Sequence, residues 1–180
     1  VHRLDKDTSG VMLLGRSARA AAELTEAFRN KDTKKTYWAL VHGKPGTNSG
    51  QINFNLAKRE SRTPGRRGER VEVDMVEGKP AVTNFRLLDV TEYEGATLSW
   101  VQLEPLTGRT HQLRVHMAAT GTPIVGDGKY ADGRTTPEGL ENRLYLHARQ
   151  IRLPGSKGKA GEIVAPLPPH MIVAWEKLGF

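Results

Sequence analysis

The sequence contains no cysteine, which excludes disulfide bonds and zinc sites built on thiolates. A chain without cysteine suits a reducing compartment, so we expect a cytoplasmic protein. These 180 residues also lack an apolar run long enough to cross a membrane, and nothing among them resembles a signal peptide. The absences disfavour membrane proteins and disulfide-stapled secreted domains, and we expect no membrane partner.

Acidic residues are fewer than basic ones. The chain carries 27 lysines and arginines against 20 aspartates and glutamates, a formal net charge of +7. Such an excess favours a polyanionic partner such as RNA, although it carries no information about the fold. With 26% charged and 37% hydrophobic residues, and no internal repeat or linker, the composition is that of one globular domain.

The first ten residues, VHRLDKDTSG, place a carboxylate among cations. Asp5 stands between Arg3 and Lys6, and the wholly apolar run Val11–Leu14 follows. Neighbouring cations keep a carboxylate ionised, and an ionised, fixed carboxylate can act as a nucleophile or a base. Gly10 permits a sharp turn between the two parts. The same residues are equally typical of a polar turn before a strand, so the pattern alone leaves both interpretations open.

The spacing of apolar residues predicts an α+β domain with a mainly antiparallel or mixed central sheet and a few packed helices. The predicted strands are 11–14, 37–42, 51–56, 81–90, 96–103 and 143–153, and the predicted helices are 18–30, 110–119 and 170–178. Ser17 and Thr110 are predicted to be helix N-caps. The run Val11–Leu14 predicts a strand buried on both faces, with a neighbouring strand on each side.

Two further stretches hold candidate site residues. In KKTYWALVHG, Tyr37 begins a strand and either packs in the core or stacks on a base. In LTGRTHQLRVHMA, Arg109 precedes a helix N-terminus, where it is either a surface cation or a bidentate partner for Asp5. His111 and His116 point to different sides of that helix without HExxH spacing, so we interpret them as hydrogen-bonded structural residues.

A charge-dense segment, KRESRTPGRRGER, occupies residues 58–70. Its basic residues are Lys58, Arg59, Arg62, Arg66, Arg67 and Arg70. Stretches of this kind, punctuated by proline and glycine, are usually solvated surface. Flexible cations also suit an RNA backbone, because phosphate contacts need no fixed fold. Both interpretations stand, with Arg62, Arg66 and Arg67 as candidate RNA contacts.

The stretch HRLDKDTSG resembles the signature of the RluA-type pseudouridine synthases. KKTYWALVHG, LTGRTHQLRVHMA, GDGKY and LHA match the same family in the same order and span nearly the whole chain. The resemblance implies the family's α+β fold and catalytic positions at Asp5, Tyr37 and Arg109. It also implies that Arg3 contacts the substrate and that Leu113 lines the base pocket.

The reaction that the resemblance implies breaks the N1–C1′ bond of a uridine in RNA, turns the uracil and rebuilds the link as C5–C1′. No atoms are exchanged, so we expect no redox cofactor, ATP or metal. Asp5 attacks C1′ or removes the C2′ proton, and both routes stay open. Arg109 would keep Asp5 ionised, and Tyr37 would stack on the uracil and take part in removing the C5 proton. The expected substrate is 23S ribosomal RNA, with transfer RNA as the alternative and no obligate protein partner.

Two rival classes remain. A basic RNA-binding module without turnover explains the charge but leaves Asp5 without a role. A glycoside hydrolase needs a pair of carboxylic acids, and the motifs offer no obvious second acid. Because family members carry strands and often a small RNA-binding domain ahead of the motif, we expect residues 1–180 to be a catalytic domain lacking both.

Replacing Arg62, Arg66 and Arg67 by glutamine tests the role of the basic segment. If these cations contact phosphates, RNA affinity falls and the slope of log K against log salt flattens, by about 2 for three contacts to a single strand. Binding isotherms at several salt concentrations measure both. An unchanged slope would assign the segment to the solvated surface.

Overall fold

The computed structural model of the protein describes residues 1–30, 32–60, 69–156 and 159–180. This part of the chain forms eight strands and three helices. In chain order these are β1 (Ser9–Gly10), α1 (Ala18–Arg29), β2 (Lys34–His42), β3 (Ser49–Glu60), β4 (Glu69–Val73), β5 (Lys79–Tyr93), β6 (Ala96–Pro105), α2 (Gln112–Ala119), β7 (Leu146–Ser156), β8 (Lys159–Val164) and α3 (Pro169–Leu178).

The strands form one mixed sheet in the order β1-β7-β2-β6-β5-β3-β4, with β8 also paired to β7. Among the described strands only β1 and β7 run parallel, and the other pairs are antiparallel. The predicted α+β fold with a mainly antiparallel or mixed sheet is therefore confirmed. The predicted hairpin is β5–β6, whereas strands β4 and β8 were not predicted.

Helices α2 and α3 pack on opposite faces of the sheet. Gln112 and His116 of α2 hydrogen-bond to the Thr83 hydroxyl of β5. Trp175 of α3 lies 4.4 Å from Trp100 of β6, measured between ring centroids. Thr83 pairs with Pro105, five residues from Trp100 along β6, so Thr83 and Trp100 point to opposite faces. The sheet is thus covered on both sides, and its interior includes residues 98–101 of β6 and residues 39–42 of β2.

Two helix ends have well-defined caps, and the first of them was predicted. Ser17 caps α1, since its hydroxyl accepts a hydrogen bond from the Ala20 N–H at 3.1 Å. Gly179 ends α3 with φ of 74°, a left-handed conformation that favours glycine. None of the helices in the described ranges is long and apolar enough to span a membrane.

The predicted strand Val11–Leu14 is wrong. The chain pairs with β7 only over Ser9–Gly10, and the last hydrogen bond runs from the Val11 N–H to the Ala148 carbonyl. The Leu13 N–H then bonds to the His2 ring instead of a strand, so the backbone leaves the sheet toward α1. Leu14 is 73% exposed, which rules out burial on both faces.

Gly10 makes the short pairing of β1 with β7 possible. Its φ is +116°, and a Cβ atom there would lie 2.2 Å from the Ala148 carbonyl oxygen. No side chain fits at that distance, and L-residues rarely adopt that conformation. Gly10 therefore allows the backbone at the end of the first motif to lie directly against β7.

Gly10→Ala is expected to lower the free energy of unfolding by about 2–4 kcal/mol, because the new Cβ must displace β1 from β7. Chemical denaturation measures the change. Gly46→Ala is the matched control, since nothing lies within 4 Å of a Cβ there. Equal unfolding midpoints for the two variants would show that β1 does not depend on this close approach.

Candidate active site

An open cleft of about 1020 Å³ lies where β2 begins and β6 ends. Its walls are the segment before β1, the first residues of β2, and the loop between β6 and α2. Five of the predicted site residues line it, namely Arg3, Asp5, Tyr37, Arg109 and Leu113. The other three, Arg62, Arg66 and Arg67, lie outside the described residues. The three main sequence motifs therefore meet at one cavity.

A tight turn presents Asp5 to the cleft. The Thr8 N–H donates to the Asp5 carbonyl at 3.0 Å, and Asp7 has a positive φ of 70°. Aspartate tolerates this left-handed conformation better than most residues. The Ser9 hydroxyl, 2.8 Å from His147 Nδ1, fixes the end of the turn to β7. The Asp5 side chain is thus carried on backbone that is tied down on its C-terminal side.

His2 fixes the other side of Asp5. Its Nε2 accepts a hydrogen bond from the Leu13 N–H at 2.8 Å, and its ring stacks on Phe28 of α1 at 4.6 Å. A histidine that accepts through Nε2 is neutral and carries its one proton on Nδ1. Burial, the positive charge of Lys35 and the amino terminus together lower the pKa of His2, which favours this neutral form.

Tyr37 stands beside Asp5 in the cleft wall. Burial, and to a smaller extent the negative charge of Asp5, raise the pKa of Tyr37 to about 12. The phenol is therefore protonated at neutral pH. Its ring offers a stacking surface, and its hydroxyl offers a hydrogen-bond donor, but it is poorly suited to act as a base.

The predicted ion pair between Arg109 and Asp5 is not formed. Arg109 is exposed at the rim of the cleft, and its Nε donates to the Pro80 carbonyl at 3.2 Å. The turn that carries Arg109 therefore directs its side chain toward β5 and solvent. Arg109 shares the cleft with Asp5 without touching it.

Gln112 determines the shape of this turn, and its role was not predicted. Its side-chain oxygen accepts from the Thr107 hydroxyl at 2.7 Å and the Arg109 N–H at 3.0 Å. Its side-chain nitrogen donates to β5 at Val82 O and Thr83 Oγ1, both at 3.0 Å. The prediction that Thr110 caps α2 is wrong, because the helix begins after His111, and Gln112 holds the loop from inside the helix.

A buried ion pair lies behind the cleft. Arg114 Nε and Nη2 donate to the two Asp127 carboxylate oxygens at 2.7 and 2.6 Å. Burial lowers the pKa of Arg114, but the hydrogen bond and charge of Asp127, with smaller contributions from Tyr130 and Asp5, raise it overall. Arg114 is thus a cation within the electrostatic reach of Asp5. It lies in the same motif as Arg109, but nothing in the sequence distinguished the two arginines.

Tyr130 extends this ion pair into a network. Its hydroxyl lies 2.7 Å from His111 Nδ1 and accepts a hydrogen bond from the Val71 N–H at 3.1 Å. The Arg114 and Arg70 guanidinium groups lie 5.1 and 5.2 Å from its ring centroid. The network ties the start of α2 to the GDGKY loop and to β4, so it fixes the back wall of the site.

All six histidines of the chain have pKa values below the ordinary value, and burial is the largest cause in each case. His116, whose Nδ1 lies 3.0 Å from the Thr83 hydroxyl, is lowered to about 4. The interpretation of His111 and His116 as hydrogen-bonded residues is confirmed. Within the described ranges, no three histidine, aspartate or glutamate side chains are grouped so that they could hold a metal ion.

The basic segment begins and ends in regular structure. Lys58 and Arg59 belong to β3 and pair with Val71 and Arg70 of β4. Arg59 also forms ion pairs with Asp74 and with Glu77. These three basic residues therefore belong to a hairpin rather than to a solvated arm, and residues 61–68 between them lie outside the described part of the chain.

Comparison with known proteins agrees with the fold and the motifs. The family model described as RNA pseudouridylate synthase matches residues 1–119. An uncharacterized RNA pseudouridine synthase of Zymomonas mobilis is 41% identical over 181 residues, which cover 100% of this chain and 76% of that protein. The structure called Human RNA Pseudouridylate Synthase Domain Containing 1 superimposes with a TM-score of 0.76 at 34% identity, covering 93% of this chain and 68% of that one. The chain belongs to the RNA pseudouridylate synthase family.

Relatives within that family carry a more specific name. Ribosomal large subunit pseudouridine synthase C of Pasteurella multocida is 42% identical over 176 residues, and that of Vibrio cholerae is 40% identical over 184 residues. The matches cover 95% and 99% of this chain but only 51% and 54% of those proteins. The chain therefore spans about half the length of these two relatives.

The two arginines of the third motif are expected to differ in their contribution to stability. Arg114→Lys removes one arm of a bidentate pair with a buried carboxylate and should lower the free energy of unfolding by about 1–3 kcal/mol. Arg109→Lys changes an exposed side chain and should alter it by less than about 0.5 kcal/mol. Urea unfolding of both variants gives the comparison. Equal losses would show that the Arg114–Asp127 pair adds no stability of its own.

Proposed function

We propose that this protein is an RNA pseudouridine synthase that isomerises uridines in large-subunit ribosomal RNA. The observation that carries the proposal is the position of Asp5, which the HRLD motif places in an open cleft beside Tyr37. The net charge of +7 supports an RNA substrate. A binding module alone would leave this tightly held carboxylate without a role.

The proposed reaction needs a carboxylate near the ribose and an aromatic surface near the base. Asp5 either attacks C1′ as uracil leaves, or removes the C2′ proton so that a glycal forms; both routes break the N1–C1′ bond and free the uracil from the ribose. The uracil turns while it is held in the cleft, and C5 bonds to C1′. As this bond forms, the bond between Asp5 and C1′ breaks in the first route, or a proton returns to C2′ in the second. The C5 proton then leaves and N1 takes one up, so that the product is an isomer of the substrate and no cofactor is consumed.

Tyr37 is proposed to hold the uracil by stacking and by hydrogen-bond donation from its protonated hydroxyl. The pKa of about 12 argues against the alternative role of Tyr37 as the base that removes the C5 proton. Leu113 lines the same cleft and offers an apolar contact for the base. A base inside a duplex cannot reach these groups, so the target uridine must be unpaired or flipped out.

The role first given to Arg109 is better filled by Arg114. The buried Arg114 guanidinium lies in the electrostatic field of Asp5, and Asp127 fixes its orientation. We therefore assign Arg114, rather than Arg109, to supplying a fixed positive charge near Asp5. Arg109, exposed at the cleft rim, and Arg3, exposed on the opposite wall, are assigned to RNA phosphates.

Large-subunit ribosomal RNA is favoured over transfer RNA because relatives that match nearly the whole of this chain are named for the large ribosomal subunit. The 23S ribosomal RNA is the corresponding bacterial molecule. Incubation of wild-type protein with transcribed 23S ribosomal RNA and with transcribed transfer RNAs, followed by pseudouridine mapping, decides between them.

Asp5→Asn is expected to lower isomerisation by at least about 1000-fold, because the amide is neither a nucleophile nor a base. RNA affinity should stay within about threefold, since no phosphate contact is lost. Asp7→Asn is the matched control: it removes one carboxylate from the same turn, and asparagine tolerates the positive φ at that position. Normal turnover by Asp5→Asn would overturn the assignment. RNA binding by the wild type without any pseudouridine would favour the binding module.

A further inference from the structure

Lys35 is a cation that the proposed reaction does not use. It lies in β2 two residues before Tyr37, and its half-buried side chain lines the same cleft. Residues two apart on a strand share a face and are about 7 Å apart. The ammonium group therefore faces the cleft at a short distance from the ring on which the uracil is proposed to stack.

Lys35 has no counterion among the described residues. Burial alone accounts for the lowered pKa of Lys35, with no carboxylate acting in the opposite direction. Its positive charge is felt by His2, which places it next to the segment that carries Asp5. A partly buried cation is costly unless an anion compensates for it. The residues that the structure describes supply no such anion at this position.

Two hydroxyl groups in the cleft wall also lack partners. Thr33 is 7% exposed, and its Oγ1 makes no hydrogen bond within the described structure. Thr8 Oγ1 is likewise buried and unpartnered. Both threonines line the cleft together with Lys35. Unsatisfied buried hydroxyls are uncommon in proteins, and each one calls for a ligand or another explanation.

An ammonium without a counterion and a hydroxyl without an acceptor are complementary to a phosphodiester, which offers negative charge and several acceptor oxygens. We propose that Lys35 and Thr33 form a binding site for one RNA phosphate close to the target uridine. The inference rests on the proposed function, because it assumes that RNA occupies this cleft. It adds a positioning contact that fixes the backbone while the base turns.

The test compares Lys35→Met with Lys35→Arg and with Lys44→Met, an exposed lysine beyond the opposite end of β2. Binding of a short oligouridylate is measured over a range of salt concentrations. Lys35→Met should weaken binding about tenfold at low salt and reduce the slope of log K against log salt by about 0.7, the value for one single-strand phosphate. Lys35→Arg and Lys44→Met should keep the wild-type slope.

A structural role for Lys35 is distinguished by stability. Lys35→Met removes a cation that has no counterion among the described residues, so it should leave the melting temperature unchanged or raise it. Thr33→Val should have the same effect on the melting temperature and should weaken RNA binding less than Lys35→Met does. Loss of RNA binding together with a lower melting temperature would overturn the proposal, as would an unchanged slope.

Oligouridylates with one neutral methylphosphonate linkage show whether the contact is direct. One linkage position should weaken binding to the wild type but not to Lys35→Met. If every linkage position weakened binding to the wild type and to Lys35→Met by the same factor, the proposal would be overturned. Because the binding measurements need no turnover, they decide on the phosphate site even if the wild type makes no pseudouridine, and that second result bears on the proposed function alone.

Discussion

The short parallel contact between β1 and β7 positions the candidate active site. Ser9 and Gly10 lie against His147 and Ala148. The hydrogen bond between the Ser9 hydroxyl and the His147 ring joins the two segments through their side chains. A pairing of two residues contributes little stability of its own. The contact between β1 and β7 therefore depends on the absence of a side chain at Gly10 and on the contacts of His2 upstream. The backbone of the turn that carries Asp5 is held from both ends, and the Asp5 side chain lines the open cleft.

Behind the cleft, a second set of interactions gives the site a rigid back wall. The pair of Arg114 with Asp127 is buried, and Tyr130 joins it to His111 and to the edge strand β4. A buried ion pair is weak evidence for stability in itself, because desolvation opposes the attraction. Its clearer effect here is on geometry, because Asp127 orients the Arg114 guanidinium, which also interacts electrostatically with Asp5.

Most of the fold could be predicted from the sequence because its strongest signals are local. The caps of α1 and α3 and the β5–β6 hairpin depend on residues close together in the chain. Strands β4 and β8 escaped prediction because both are short, polar edge strands, and edge strands often carry charges that discourage further pairing. Val11–Leu14 misled because an apolar run does not show that a partner strand is available: Met12 and Leu14 are exposed here.

The site was predicted as a set of residues but not as a set of contacts. Asp5, Tyr37 and Leu113 lie in one cleft, as the motifs indicated. The choice between Arg109 and Arg114 could not be made, because it depends on which arginine points inward after α2 docks on the sheet. Gln112 was missed for the same reason: two of its four hydrogen bonds reach Val82 and Thr83 of β5, about thirty residues away in the chain. Such long-range pairings leave no periodic signal in a single sequence.

The burial of every histidine has a consequence for how the protein responds to acid. Each histidine has a lower pKa in the folded chain than in the unfolded chain, and that of His116 is lowered to about 4, so below about pH 6.5 the unfolded chain binds more protons. Acidification below that pH therefore weakens the fold. Around neutral pH the charge excess of +7 is supplied by lysines and arginines alone. The attraction of the protein for a polyanion should therefore vary little with pH around neutrality and should depend mainly on ionic strength.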